Sequence, residues 1–594
     1  MVDQDAHAHY QREVADVKLP RLNIPAQSRD VTDTFYGYNH RLKIRAGEMY
    51  HTENLSSRDF PMLATRKRRG MVRRLTKPQG MLAKDKLCYV DNGTLYYGDN
   101  ATPVTGLSDG YKQLVSMGAY VVIFPDKVYY NTQDPTDYGS MEFSRTIANE
   151  TVYTLCSVTG AALSYISDST APSAPNNGQY WFDTVNNSLK MYSSAQGEWV
   201  TVVTPFTKIS WPGLSIDLTE YFKTGDGVTI AGTAYPEILD GSKAIYAVGT
   251  NYIVVVGLLD TSALTPAVNS VSLSRTVPDM DFVCECQNRL WGCYYGKGAD
   301  GKMLNELYCC ALGDFKNWRV YMGLSTDSWA ASVGSDGPWT GAINFLGYPT
   351  FFKEDRVHRV TVSPVGAHSV QDTVERGVQA GSAKSLAIVN EVLFYKSRSD
   401  VVAYQGGFPS GVSEALGDVV YSDAVGGTFG SSYYVSMKDD QNKWHLFVFD
   451  SANSLWMRED DLQLTDIVRL GDSLFALDAD GVIWDLQGAL GEEETRLPWA
   501  AQSGILYYEM PNRKYTSRYD IMLSAPVGTT AEIFIQYDSN GIWRWSGQVH
   551  FRGLNAVTIP VRPRRCNHME LRIVGEGDVK IYSIARILEQ GSDV

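Results

Sequence analysis

The sequence has no apolar run long enough to cross a bilayer. Its longest runs, such as "NYIVVVGLL" at 251–259, are about half of the roughly 20 residues a spanning helix requires. The opening "MVDQDAHAHY" lacks the basic and then apolar segments of an export signal, so a soluble chain without an anchor is expected. Positive charge is in deficit: 53 Lys and Arg stand against 67 Asp and Glu, a net charge of -14. That excludes a protein that wraps nucleic acid over its whole surface, because such proteins neutralise phosphates with an excess of cations. Phosphate-binding, dinucleotide-binding, zinc-protease and nucleophile-elbow motifs are all missing. The eight cysteines form no Cys-x2-Cys pair. Cys284 and Cys286 share one strand face without the partners a zinc set needs. No metal, cofactor or catalytic residue is expected, and the thiols read as small hydrophobes.

Glycine and aromatic residues are plentiful, with 52 Gly, 36 Tyr and 13 Trp among 594 residues. Aromatic side chains suit a pleated surface and glycine suits tight turns, which points to an all-β chain of roughly three to five structural units. One hairpin pattern recurs: an apolar strand, a turn, then a strand with aromatics. It stands at 86–99 ("KLCYVDNGTLYYGD"), 117–132, 281–296, 343–360, 387–407, 444–460 and 471–488. Asn92-Gly93 and Asp480-Gly481 are its strongest turns, since type I′ geometry requires φ > 0. A lone hairpin cannot bury both faces, whereas blades packed around an axis bury them against each other, so the repeat predicts a β-propeller.

Two stretches break the rhythm, and six segments follow. They are an N-terminal arm with the first propeller strands (1–80), blades (81–165), a small aromatic β-insertion (167–202), a small barrel-like insertion (206–277), further blades (278–498) and a C-terminal β-sandwich (500–594). In the aromatic insertion, Trp181, Tyr192 and Trp199 could stack on sugar rings. In so small a unit they are more economically read as the whole core. A basic run, Arg66, Lys67, Arg68, Arg69, Arg73, Arg74 and Lys77, could contact DNA phosphates or an acidic neighbouring subunit, or be a solvated edge. A smaller knot, Arg562, Arg564 and Arg565, lies near the C-terminus. "GSDGPW" (334–339) and "DSNGIWRW" (538–545) faintly resemble the Asp-box turns of sialidases, which keeps a propeller glycosidase with paired carboxylates as an alternative.

Three stretches carry resemblances. "FYGYNHRLKIRAGEMYHTENLSSRDFPMLATRKRRG" (35–70) and "MELRIVGEGDVKIYSIARILEQGSDV" (569–594) are similar to bacteriophage tail hub or nozzle proteins, also called packaged-DNA stabilisation proteins, and "GQYWFDTVNNSLKMYSSAQGEW" (178–199) resembles a small module common in phage structural proteins. The resemblance implies a virion protein made in the host cytoplasm. It implies a β-propeller that forms a ring, a hexamer, below the portal and adaptor, holds the packaged genome in and later conducts DNA out. It also implies partners among the neck and tail proteins and transient, non-specific contact with DNA. The rival within the virion is a host-receptor protein that binds glycan through the aromatic insertion.

Overall fold

A computed structural model describes residues 27–298, 301–362, 367–506, 513–527, 529–551, 553–561 and 564–590. His7, His9 and Arg562 lie outside the described residues. Strands dominate, and the only α-helix among the described residues is the four-residue Pro236–Leu239. The chain divides into two compact units, 66–495 and 1–65 with 496–594.

The larger unit contains seven antiparallel sheets, each built around a four-strand meander. Blade 1 is Pro78–Ala83, Leu87–Asp91, Thr94–Tyr97 and Asn100–Ala101. Blades 2 to 6 span 113–140, 282–332, 341–374, 387–411 and 421–460. Blade 7 takes Leu464–Leu470, Ser473–Asp478 and Val482–Asp485, and its fourth strand, Gly70–Arg74, comes from the far end of the chain, with Ile483 opposite Arg73. The first strand of each blade packs on its neighbours around a closed cycle, blade 7 returning to blade 1.

Each junction between blades is an apolar layer. Cys88, Val90 and Leu95 meet Val121 and Ile123 between blades 1 and 2. Val122 and Phe124 meet Val283 and Leu290 between 2 and 3, and Trp291 and Leu307 meet Phe351 and Val360 between 3 and 4. Phe345 and Phe352 meet Leu393 and Tyr395 between 4 and 5, and Phe394 stacks on Tyr433, ring centroids 5.4 Å apart, between 5 and 6. Leu446 meets Leu474 between 6 and 7, and Phe475 and Ile483 meet Met81 and Tyr89 between 7 and 1. This is a seven-bladed β-propeller closed by its N-terminal strand. Fully burying one such side chain stabilises by about 1.5–3 kcal/mol, so the layers, repeated seven times, hold the cycle shut. At Asn92-Gly93 the turn is as expected, with φ of 48° and 74°, whereas at 480–481 only the glycine takes a positive φ. Gly481, at φ 82°, lies where an added Cβ would be 2.9 Å from the Leu75 carbonyl oxygen.

Three expected boundaries change. Blade sequence stops at 140, not 165, because Phe143–Ile147 pairs with Val271–Arg275 and Glu150–Cys156 with Phe206–Ser210. These strands join 227–256 around one core that includes Ile147, Tyr153, Ile209, Trp211, Ile253 and Leu273. The barrel-like insertion is therefore discontinuous, and the aromatic module at 165–201 is nested inside it rather than preceding it. The arm expected over 1–80 also divides. Its residues from 66 onward serve the propeller, whereas Leu63–Thr65 pairs with Lys580–Gln590 in the terminal unit.

That terminal unit is a two-sheet β-sandwich made from both ends of the chain. One sheet holds Leu55–Ser56, Leu63–Thr65, Lys580–Gln590, Lys514–Ala525 and Gly553–Pro560. The other holds Glu48–Glu53, Pro498–Ser503, Met569–Glu576, Thr530–Tyr537 and Arg544–His550. Alternate residues, among them Tyr519, Ile521, Leu523, Ile533, Ile535 and Ile573, are buried.

Candidate functional site

The basic run is the seam of the propeller. Arg66 and Arg69 are 6% and 3% exposed. The Arg69 guanidinium donates to Asp460 at 2.6 Å and Glu459 at 2.9 Å, and its backbone N–H donates to Glu494 Oε2 at 2.8 Å. Arg66 grips both oxygens of Glu494, at 2.7 and 3.1 Å. Burial opposes the charge on Arg69, but Asp460, Glu459 and Glu494 outweigh it and raise its pKa. Burial likewise opposes ionisation of Asp460, but Arg69 and Arg66 hold its carboxyl below the usual range. Glu459 is pushed up by burial, offset in part by the two arginines.

The rest of the run is bound more loosely. Arg68 donates to the carbonyls of Glu494 and Thr495, Arg73 pairs with Asp99 and Tyr89, Lys77 pairs with Asp109 at 2.7 Å, and Arg74 reaches the Asp480 carbonyl at 3.4 Å. Lys67 is exposed. The reading of this run as a DNA or subunit contact is corrected for Arg66 and Arg69, whose guanidinium groups are buried in ion pairs that would leave an uncompensated charge if broken, whereas Lys67, Arg74 and Lys77 stay exposed.

The apolar core of the aromatic module is Phe182 and Leu189 with Leu155, which corrects the expectation that Trp181, Tyr192 and Trp199 are its whole core. Trp181 is 6% exposed, its Nε1–H donates to the Asp168 carbonyl at 3.0 Å, and its ring meets Trp199 edge-on at 5.5 Å. The Lys190 ammonium sits 4.8 Å from the Trp181 ring and pairs with Asp183 at 2.8 Å. Asp183 also accepts from Val185, Asn186 and the Asn186 side chain, and these bonds, with that of Lys190, hold its carboxyl well below the usual range. Tyr192 and Trp199 are half-buried and lie edge-on to each other. The three rings do not form one flat exposed platform, which corrects their reading as a sugar-stacking set.

One cluster left no sequence signal. Tyr111 precedes the first strand of blade 2, Lys384 precedes that of blade 5, and Asp466 lies in that of blade 7. Lys384 Nζ pairs with Asp466 at 3.1 Å, donates to the Thr465 carbonyl at 2.7 Å and lies 3.5 Å from the Tyr111 ring centre. Blades 2, 5 and 7 are not neighbours, so these side chains meet across the propeller axis. Burial pushes the Asp466 carboxyl up and the Lys384 ammonium down, and each partner offsets the other's shift. Among the described residues no group of three or more His, Cys, Asp or Glu side chains is arranged to hold a metal. The eight buried cysteines are unbridged, and among the described residues no helix is long and apolar enough to cross a membrane.

No family model and no curated protein matches the chain. Solved structures similar to it include an exo-beta-1,3-galactanase from Phanerochaete chrysosporium. A variant of that enzyme with beta-1,3-galactotriose is 9% identical, with 51% of this chain and 94% of that chain covered and a TM-score of 0.23. The enzyme with galactose has the same identity and coverage and a TM-score of 0.22. Likeness at this level carries no activity to this chain.

Proposed function

We propose that this protein is a structural component of a bacteriophage tail, a hub or nozzle subunit that assembles into a ring and is not an enzyme. The observation that carries the reading is where the resembling stretches fall. The N-terminal stretch and the C-terminal stretch are separated by about 500 residues in sequence, yet the first, up to Thr65, is built together with the second in the terminal sandwich. Leu63 lies opposite Ile581, the Thr65 N–H donates to the Val579 carbonyl at 3.1 Å, and the Val579 N–H donates to Thr65 Oγ1 at 3.2 Å. The same N-terminal stretch then runs into the propeller seam. That both ends of the likeness fall in one folded unit supports the reading.

The side chains meeting across the propeller axis give the proposal a definite form. A channel crossed by Lys384, Asp466 and Tyr111 cannot pass a duplex, so any DNA path runs through the centre of a ring of subunits, outside each propeller. Ring closure calls for a head-to-tail, heterologous interface between copies. The portal, adaptor or other neck proteins are the natural neighbours of such a ring.

The test is antibody-gold labelling of this chain on particles of the phage that encodes it, viewed by electron microscopy. Label on the tail axis near the neck is the expected result. Label on peripheral fibres would favour glycan recognition, and absence from the particle would overturn the reading. The hydrolase alternative has its own assay, because release of sugar from capsular or cell-wall polysaccharide by the purified chain would overturn the non-enzymatic assignment.

A further inference from the structure

The two outward faces of the terminal sandwich differ. In Lys514–Ala525 the residues Tyr519, Ile521 and Leu523 are buried, so Asp520 and Met522 between them face out. Asp520 is spent there, accepting from Thr558 at 2.8 Å and pairing with Arg518 at 3.5 Å. On the other sheet Ile533 and Ile535 of Thr530–Tyr537, and Leu571 and Ile573 of Met569–Glu576, are buried, so Glu532, Phe534, Arg572 and Val574 face out.

The register arranges this second face in rows, because residues paired directly across strands share a face. Phe534 lies opposite Arg572 on one side and, across a bulge at Ser546, opposite Trp545 on the other. Glu532 lies opposite Val574 and Gln548. The row Trp545, Phe534, Arg572 crosses three strands, two spacings of about 4.8 Å, and is therefore about 10 Å long. Arg544 is not part of it, since it lies opposite the core-facing Ile535.

This part of the face is open and uncommitted. Trp545 is 60% exposed, Gln548 is exposed, and Phe534 and Arg572 are half-buried. Among the described residues, none of Glu532, Gln548 and Arg572 makes a side-chain hydrogen bond or ion pair, and the Arg572 Nε–H is buried without a partner. Farther along the same face the polar groups are closed on themselves. Glu570 accepts from Gln502 at 3.4 Å, Gln536 at 3.0 Å and Ser539 at 3.1 Å. The turn that leads to Trp545 is held as well, because Asp538 Oδ1 accepts the backbone N–H groups of Asn567 at 2.8 Å and His568 at 3.3 Å. A fixed sheet face thus presents an open indole beside a guanidinium, a carboxylate and a carboxamide in two adjacent rows.

We infer that this face binds a saccharide, Trp545 covering the C–H face of a sugar ring while Arg572, Glu532 and Gln548 take its hydroxyl groups. A sugar ring pairs an apolar face with a rim of hydroxyls, and an indole is large, flat and tolerant of a wet edge. Each hydroxyl both donates and accepts, which suits a set in which Arg572 only donates, Glu532 only accepts and Gln548 does both. One guanidinium beside an unpaired carboxylate is a poor seat for a polyanion, so the ligand is recognised by its hydroxyls rather than by charge. The row is long enough for a short stretch of oligosaccharide. The site is separate from the aromatic module, and it does not depend on the tail-protein reading, since it is a property of one sheet face.

The experiment is affinity electrophoresis of the full-length protein in native gels containing dextran, laminarin, galactan or bacterial O-antigen polysaccharide, at low and high salt. At least one polysaccharide should retard the protein, and equally at both salt concentrations, unlike a phosphate contact. Trp545→Ala and Arg572→Met should each raise the apparent Kd by about 10-fold or more, and Trp545→Phe should keep most of the binding. Tyr192→Ala, in the aromatic module, should change nothing. An unfolding midpoint unchanged in Trp545→Ala separates lost binding from lost folding. Retardation by none of the four polysaccharides overturns the inference, as does binding that survives Trp545→Ala but not Tyr192→Ala. So does a result in which Trp545→Ala and Arg572→Met lose only salt-sensitive binding of oligothymidylate, or only self-association. Tail labelling without saccharide binding would refute this site but not the tail assignment, and saccharide binding by a chain absent from the particle would do the reverse.

Discussion

Two arginine clusters in one molecule have opposite fates. Arg66 and Arg69 lie beside Glu459, Asp460 and Glu494 and are buried in ion pairs that close the propeller. Arg544 and Arg564 act on Tyr537 and remain exposed. The first cluster is the denser in sequence and attracts the functional reading, yet it is structural. The second is sparse and split across two loops. What separates them is the supply of carboxylates within reach, which depends on residues about 400 positions away.

The largest expected effect tests the seam. Arg69→Ala leaves Glu459 and Asp460 in a buried site with only the more distant Arg66, at 3.9 and 4.0 Å, and should cost the propeller about 3–5 kcal/mol in urea unfolding, whereas Arg544→Ala should cost less than about 0.5 kcal/mol. Equal costs would dissolve the contrast between the clusters. Trp181→Ala should cost about 3 kcal/mol, read as loss of hydrogen-exchange protection confined to 165–201, because the buried ring packs against Trp199 and Lys190 of the same module.

A pH-dependent difference of similar size is expected at His358 in blade 4. This ring is fully buried against Ser335 at 3.0 Å and Trp339, and burial, despite Asp372 at 3.4 Å, lowers its pKa from 6.5 to about 4. Below pH 6.5 the unfolded chain takes up a proton that the folded chain refuses until about pH 4, so stability falls with falling pH through that window and is level above it. The loss should approach about 3 kcal/mol. Comparing unfolding at pH 7 and pH 4.5 with His358→Gln, in which this contribution disappears, checks both sign and source.

Gly481→Ala should cost about 2 kcal/mol, from a left-handed backbone and the crowded Leu75 carbonyl, measured as a lower unfolding midpoint. Lys77→Ala removes only an exposed pair with Asp109 and should shift stability by less than about 0.5 kcal/mol. A large effect there would mean that the outer end of the run also belongs to the seam.

Each of the seven hairpin stretches read from the sequence falls in a different blade, because alternating apolar strands and turn residues are local signals. The long-range features were not legible. The last blade borrows Gly70–Arg74, the barrel-like insertion is interrupted by the aromatic module, and the two chain ends share a sandwich. Each depends on a pairing across tens to hundreds of residues that no local pattern encodes. The candidate residues fared by the same rule. Trp181 could be recognised as buried from the smallness of its module, but the fate of the basic run and the meeting of Tyr111, Lys384 and Asp466 could not.

The sequence by itself determined that this is an all-β protein of repeated hairpins, since strand, turn and apolar face are written within a dozen residues. Only the tertiary structure decided which cations are spent and which are presented. A charge acquires its role from the carboxylates, rings and solvent around it, and those neighbours are assembled only when the chain closes on itself.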